Sequence, residues 1–190
     1  NDLKDGKGQD DFANGDKYIG EWLEGEMTGN GVYTFSNGDV FEGEFLDGEM
    51  HGKGEFDYSN GDQYIGNFDI GYRSGDGNFN YYNGESYYGE WDKDMFHGQG
   101  EYKYRNGNIY KGSFVNGQMD GQGTYIFING NIYIGEFKNG ERNGIGVFTY
   151  NNGNKYVGEF KDGQMDGQGT FTYPNGDKTV GVWENGKPVN

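Results

Sequence analysis

The chain has 190 residues, 32% apolar and 18% aromatic, with 31 acidic against 15 basic residues and a formal net charge of −16. So little apolar side chain cannot fill a thick two-layer core, while so many rings do not belong to a disordered chain. The acidic balance excludes nucleic acid as a partner, because phosphates need clustered Lys and Arg. It also disfavours anionic lipid, where each basic residue near the surface contributes about 1 kcal/mol.

There is no cysteine, which removes disulfides, thiolate zinc sites and cysteine nucleophiles. No apolar run is long enough to span a membrane and no signal peptide is visible. A cytoplasmic, reducing location is expected. The first residue is Asn1, not Met, as expected of a fragment of a longer chain.

In chain order, residues 1–17 carry Gly6, Gly8, Phe12 and Gly15, the tail of a unit that then recurs. Seven full 23-residue units follow without an insertion over 18–178, and 179–190 begin another. All 39 glycines fall on this grid, and the one vacant glycine position is filled by Asp94. A fixed period of this kind identifies a repeat architecture, so one continuous array over 1–190 is expected.

The first full unit shows the physics. Tyr18, Gly20 and Trp22 alternate along a first strand and share a face. Residues 25–31 read as a glycine-punctuated connection. Tyr33 and Phe35 alternate along a second strand, and Ser36-Asn37-Gly38-Asp39 is a hairpin signal into the next unit. Asn-Gly returns at Asn60, Asn83, Asn106, Asn129, Asn152 and Asn175. The expectation is an all-β, single-layer antiparallel meander, drawn out and twisted, with a groove. At about 4.8 Å per strand, eight units would reach roughly 75 Å. Gly20 and its equivalents are expected to leave room for a ring from a neighbouring strand. The opposite face is mostly polar, with Ile19, Glu42, Ile65, Tyr88 and Lys111 at one of its positions.

The motif Tyr18-Ile-Gly-Glu-Trp22, repeated at Phe41-Glu-Gly-Glu-Phe45, Tyr133-Ile-Gly-Glu-Phe137 and Tyr156-Val-Gly-Glu-Phe160, resembles the MORN repeat. An array with little else looks like the cytoskeletal members of that family in apicomplexan parasites. The resemblance implies tethering roles in cytoskeletal or membrane-proximal assemblies, including cell division, often through dimerisation. It also leaves the junctions at Asn67, Ser113 and Val182 open, since these residues replace the motif glutamate.

No catalytic constellation is present. The run from Gly181 to Lys187 approaches a P-loop, but Pro188 stands where the hydroxyl residue belongs. His51 and His97 lie two units apart, too far to share a metal. No paired general acid and base and no activated nucleophile stands out. No cofactor and no metal are expected. The expected function is a non-enzymatic scaffold that self-associates and tethers protein partners. A phospholipid-binding module and an accessory region of a larger enzyme are the alternatives. The aromatic face is the expected partner groove, through Tyr18, Trp22, Tyr33, Phe35, Phe41, Phe45, Phe56, Tyr58, Tyr87 and Trp91. Homodimerisation is expected at the C-terminal repeats, through Tyr156, Phe160, Phe171, Tyr173 and Trp183.

Overall fold

The computed structural model describes residues 3–189. It is all β, with no helix among the described residues. The chain divides after Met95 into two compact units. The first holds β1 (Gly6–Asp11), β2 (Lys17–Leu23), β3 (Glu26–Thr34), β4 (Val40–Leu46), β5 (Glu49–Asp57), β6 (Gln63–Asp69), β7 (Tyr72–Asn80) and β8 (Ser86–Asp92). The second holds β9 (Met95–Lys103), β10 (Ile109–Val115), β11 (Gln118–Ile126), β12 (Ile132–Lys138), β13 (Glu141–Thr149), β14 (Lys155–Lys161), β15 (Gln164–Thr172), β16 (Lys178–Glu184) and the short β17 (Lys187–Pro188). Within each unit every strand pairs antiparallel with the next, as a meander.

The expected connection over 25–31 is instead a two-residue turn, Glu24-Gly25, followed at once by β3. Both turn residues have positive φ, 51° and 90°, the pairing that suits a tight hairpin. The later glycine does not make a loop. The register runs Gly20↔Gly31 and then jumps to Glu21↔Thr28, so β3 carries extra residues at Gly29 and Asn30. Gly29, at φ 57°, absorbs the bulge.

The bulge glutamate ties this irregularity down. Glu44 Oε1 accepts from the Lys53 amide at 3.3 Å, and Glu159 Oε1 from the Gln168 amide at 3.0 Å. These bonds lie within one hairpin and do not join repeats. Asn67 does the equivalent work, donating from Nδ2 to the Asp76 carbonyl at 2.9 Å. The bulge in that hairpin is tied as in the others.

The glycine row also has a different cause from the one expected. A Cβ on Gly20 would lie 2.2 Å from the Tyr18 hydroxyl, and one on Gly31 2.4 Å from the same ring. The ring over the glycines therefore comes from the same strand, two residues earlier. It lies across two paired glycines, Gly20 and Gly31. The Tyr18 hydroxyl then donates to the Glu21 carbonyl at 3.0 Å, at the bulge where the ladder is irregular. Tyr64, Tyr110, Tyr133 and Tyr156 repeat this bond at 2.9–3.1 Å. Each of these rings is fully buried.

Repeats are joined by ring edges. Tyr18 meets Trp22 of its own strand at 5.2 Å and Phe45 of the next repeat at 5.0 Å, both edge-on. Tyr64 meets Phe68 and Trp91 in the same way, as Tyr133 meets Phe137 and Phe160. Each such pair contributes about 0.5–1.5 kcal/mol beyond burial. A second link runs through the turns. The Asp16, Asp39 and Asp62 carboxylates accept the amides of Ser36, Ser59 and Tyr82 at 2.7–2.8 Å. In the second unit Asn108 and Asn131 accept from Ile128 and Asn151 at 2.9 Å.

A Gly31→Ala substitution should cost about 3 kcal/mol in urea unfolding, because the methyl overpacks against a buried ring. Gly181→Ala should change stability by less than about 0.5 kcal/mol, since its Cβ meets nothing within 4 Å.

The turn ladder makes acid act unevenly. The Tyr33 hydroxyl and the Ser36 amide hold the Asp16 carboxyl below its usual range, and the Ser59 amide does the same for Asp39. A folded pKa below the unfolded value gives stability that is complete above about pH 4 and is lost as pH falls through the folded value. In NMR spectra the amides of Ser36 and Ser59 should therefore lose protection in acid. Those of Ile128 and Asn151, held by neutral asparagines, should keep it.

Candidate functional site

The expected aromatic groove is largely filled by its own rings. Tyr18, Trp22, Phe41, Phe45, Phe56, Tyr87 and Trp91 are at most 8% exposed. They are core and cannot line an open groove, because the tyrosines fold down over the glycines and the Trp and Phe rings close the gaps. Tyr33, Phe35 and Tyr58 are half-buried. They stand in a row with Phe56, with ring centroids 4.4–5.5 Å apart. The Tyr33 hydroxyl donates to Asp16 at 2.7 Å. Burial first, and the Asp16 carboxylate second, push its pKa up to about 12.

The five C-terminal residues divide the same way. Tyr156, Phe160 and Trp183 are buried, Phe171 is half-buried, and Tyr173 is 42% exposed. Tyr156 packs between Phe160 and Trp183.

An open concavity lies on the other face. A trough of about 970 Å³ runs across β1 to β7, floored by Gly8, Gly20, Gly31, Gly43, Gly54 and Gly66. These glycines stand opposite one another from strand to strand. A side chain at any of them would point to the ring face, so on this face the backbone itself forms the floor. Ile19, Val32 and Ile65 stand in the walls with Glu21, Glu42, Glu55 and Asp76, against only Lys7 and Lys53. Ile19 is 58% and Ile65 45% exposed. Water-facing isoleucines beside carboxylates suit a partner that brings both apolar and cationic groups.

Ile19, Glu42 and Ile65 lie on the face expected to be polar, not on the one expected to hold the groove. The signal available was aliphatic residues recurring on a face otherwise given to charge. A second feature was half seen. Asp94, the vacancy in the glycine grid, pairs with Arg73, its Oδ1 2.9 Å from Nε and 3.0 Å from the Arg73 amide. The arginine was the missed half.

His51 and His97 lie within β5 and β9, not in loops. His51 Nδ1 is 3.6 Å from Asp69 Oδ1. Among the described residues no group of three or more His, Asp or Glu could hold a metal. The P-loop-like run is β16 and a tight turn, with no helix to receive a phosphate. Among the described residues no helix is long and apolar enough to cross a membrane.

Comparisons with known proteins agree with this architecture. The SAS-4 (dCPAP) TCP domain of Drosophila melanogaster, solved in complex with a proline-rich motif of Ana2 (dSTIL), superposes with a TM-score of 0.51. It is 17% identical, over 93% of this chain and 90% of that one. The CPAP G-box domain gives a TM-score of 0.50 at 15% identity, over 94% of this chain and all of that one. At such identities the likeness is one of fold. Among curated proteins no sequence matches this chain. The MORN repeat model matches residues 18–40, 41–63, 87–109, 110–132, 133–155 and 156–178. Between the matched segments, residues 64–86 form the same hairpin in the same register, with Asn67 in place of the motif glutamate. The chain belongs to the MORN repeat family.

Proposed function

We propose that this chain is a non-enzymatic protein-interaction scaffold whose trough, on the face opposite the rings, takes a partner segment bearing basic and apolar side chains. The glycine-floored trough carries the reading. It exposes Ile19 and Ile65 beside an excess of carboxylates. The family match and the fold shared with the SAS-4 TCP domain, itself solved with a bound protein motif, support an interaction role. The net charge of −16 favours such a partner over an anionic membrane. The tethering role in a cytoskeletal or membrane-proximal assembly is part of the same reading.

Ile19→Arg with Ile65→Arg should weaken capture of partner proteins at least about tenfold. Both side chains are exposed, so circular dichroism and melting should be unchanged. Quantitative mass spectrometry of affinity-purified complexes makes the comparison. An unchanged set of partners would move the site off the trough.

Self-association belongs to the proposal through Tyr173 and Phe171, the members of the C-terminal set left partly open. Light scattering of the wild type at tens of micromolar should give a dimer, and Tyr173→Ser should shift it toward monomer. A wild type that stays monomeric removes this part of the reading and leaves the trough untouched.

A further inference from the structure

One position on the ring face differs from repeat to repeat. It is Met27, Met50, Met119 and Met165 in four repeats, and Arg73 and Arg142 in two others. Methionine satisfies the packing there, so a guanidinium is not needed to fill space.

Arg73 shows what the guanidinium does. It lies over Trp91 at 4.4 Å and Phe79 at 5.1 Å. Asp94 supplies a carboxylate to its Nε at 2.9 Å and to its amide at 3.0 Å, while Nη2 donates to the Asp94 carbonyl at 3.2 Å. Asp94 holds φ 68° in a place that the other repeats give to glycine, a conformation that an L-residue adopts at some cost.

Arg142 is the same arrangement with its anion removed. It lies 5.2 Å over Phe148, 5.7 Å over Tyr133 and 5.8 Å over Phe160. Its Nη2 donates to the Gly163 carbonyl, as Arg73 donates to that of Asp94. The residue at Asp94's place is now Gly163, and a Cβ built there meets nothing within 4 Å. Among the described residues Arg142 makes no ion pair. Burial works against its charge, and no carboxylate answers it.

We infer that Arg142 and the open space beside Gly163 form a docking point for the carboxylate of an acidic side chain on a partner protein. The partner's Asp or Glu would occupy in trans the place that Asp94 occupies in cis. The guanidinium is held by rings and a carbonyl, so its remaining donors are oriented before the carboxylate arrives. This site is on the ring face of the second unit and is independent of the trough.

The test uses the whole chain, labelled with ¹⁵N, and follows the Arg142 Nε–H resonance. N-acetyl-aspartyl amide should produce a saturable shift. N-acetyl-glycine, which offers a terminal carboxylate, and chloride at equal ionic strength should produce a smaller one. Arg142→Met, which puts in place the residue that four other repeats carry at the equivalent position, assigns the resonance and should remove all response elsewhere in the site. Gly163→Asp should abolish the response by filling the place in cis. It should also raise Tm by several degrees, and should fail to do so in the Arg142→Met background. A shift no larger than that of chloride overturns the proposal. So does an undiminished response in Gly163→Asp, while a preference for N-acetyl-glycine overturns the choice of a side-chain carboxylate.

Discussion

A tyrosine laid flat over two glycines is the contact on which the rest of the structure depends. A single sheet has no second layer, so its apolar groups must cover one another. The tyrosine reaches this by lying along its own strand, which demands that Gly20 and Gly31 carry no Cβ. Its hydroxyl then meets a carbonyl at the bulge, and its ring edge meets the next repeat. One side chain thereby serves the strand, the hairpin and the junction. Phe41, fully buried in the same place without a hydroxyl, shows that the ring matters more than the bond. A lost neutral hydrogen bond costs only about 1 kcal/mol.

The same arrangement produces both faces. Side chains at the glycine row would point toward the rings, so the other side of that row is bare backbone. The trough is thus a by-product of how the core is made. Side chains there can vary without disturbing the tyrosines, since Ile19, Val32 and Glu42 point away from them. The junctions can likewise carry local variation, as Arg73 and Asp94 do, without a change of register.

Much of this was legible in the sequence. The 23-residue period gave the repeats, and the alternation of Tyr18 and Trp22 gave the ring face. The Asn-Gly signals gave the turns between units. The misreadings share a cause. Alternation tells which face a side chain takes but not which way it leans, so the ring over Gly20 was assigned to a neighbouring strand. Positive-φ glycines serve loops and bulges alike, so Gly29 suggested a connection where β3 in fact continues. Burial within a single layer depends on how rings tilt, and no pattern of residue types encodes that tilt. Seven of the ten rings expected to form the groove are therefore core, and an open trough lies on the face behind them.

The coupling of each tyrosine to its own repeat and the next has a genetic consequence. Within each compact unit the ring contacts at the junctions are alike, because Tyr18, Tyr64, Tyr110, Tyr133 and Tyr156 each meet a Phe or Trp supplied by the following repeat. Unequal recombination that adds or removes one whole unit leaves every remaining junction satisfied. A frame-preserving change of any other length puts a side chain where a glycine is required. Such an array can evolve its length in fixed steps, like a ruler cut only at its marks.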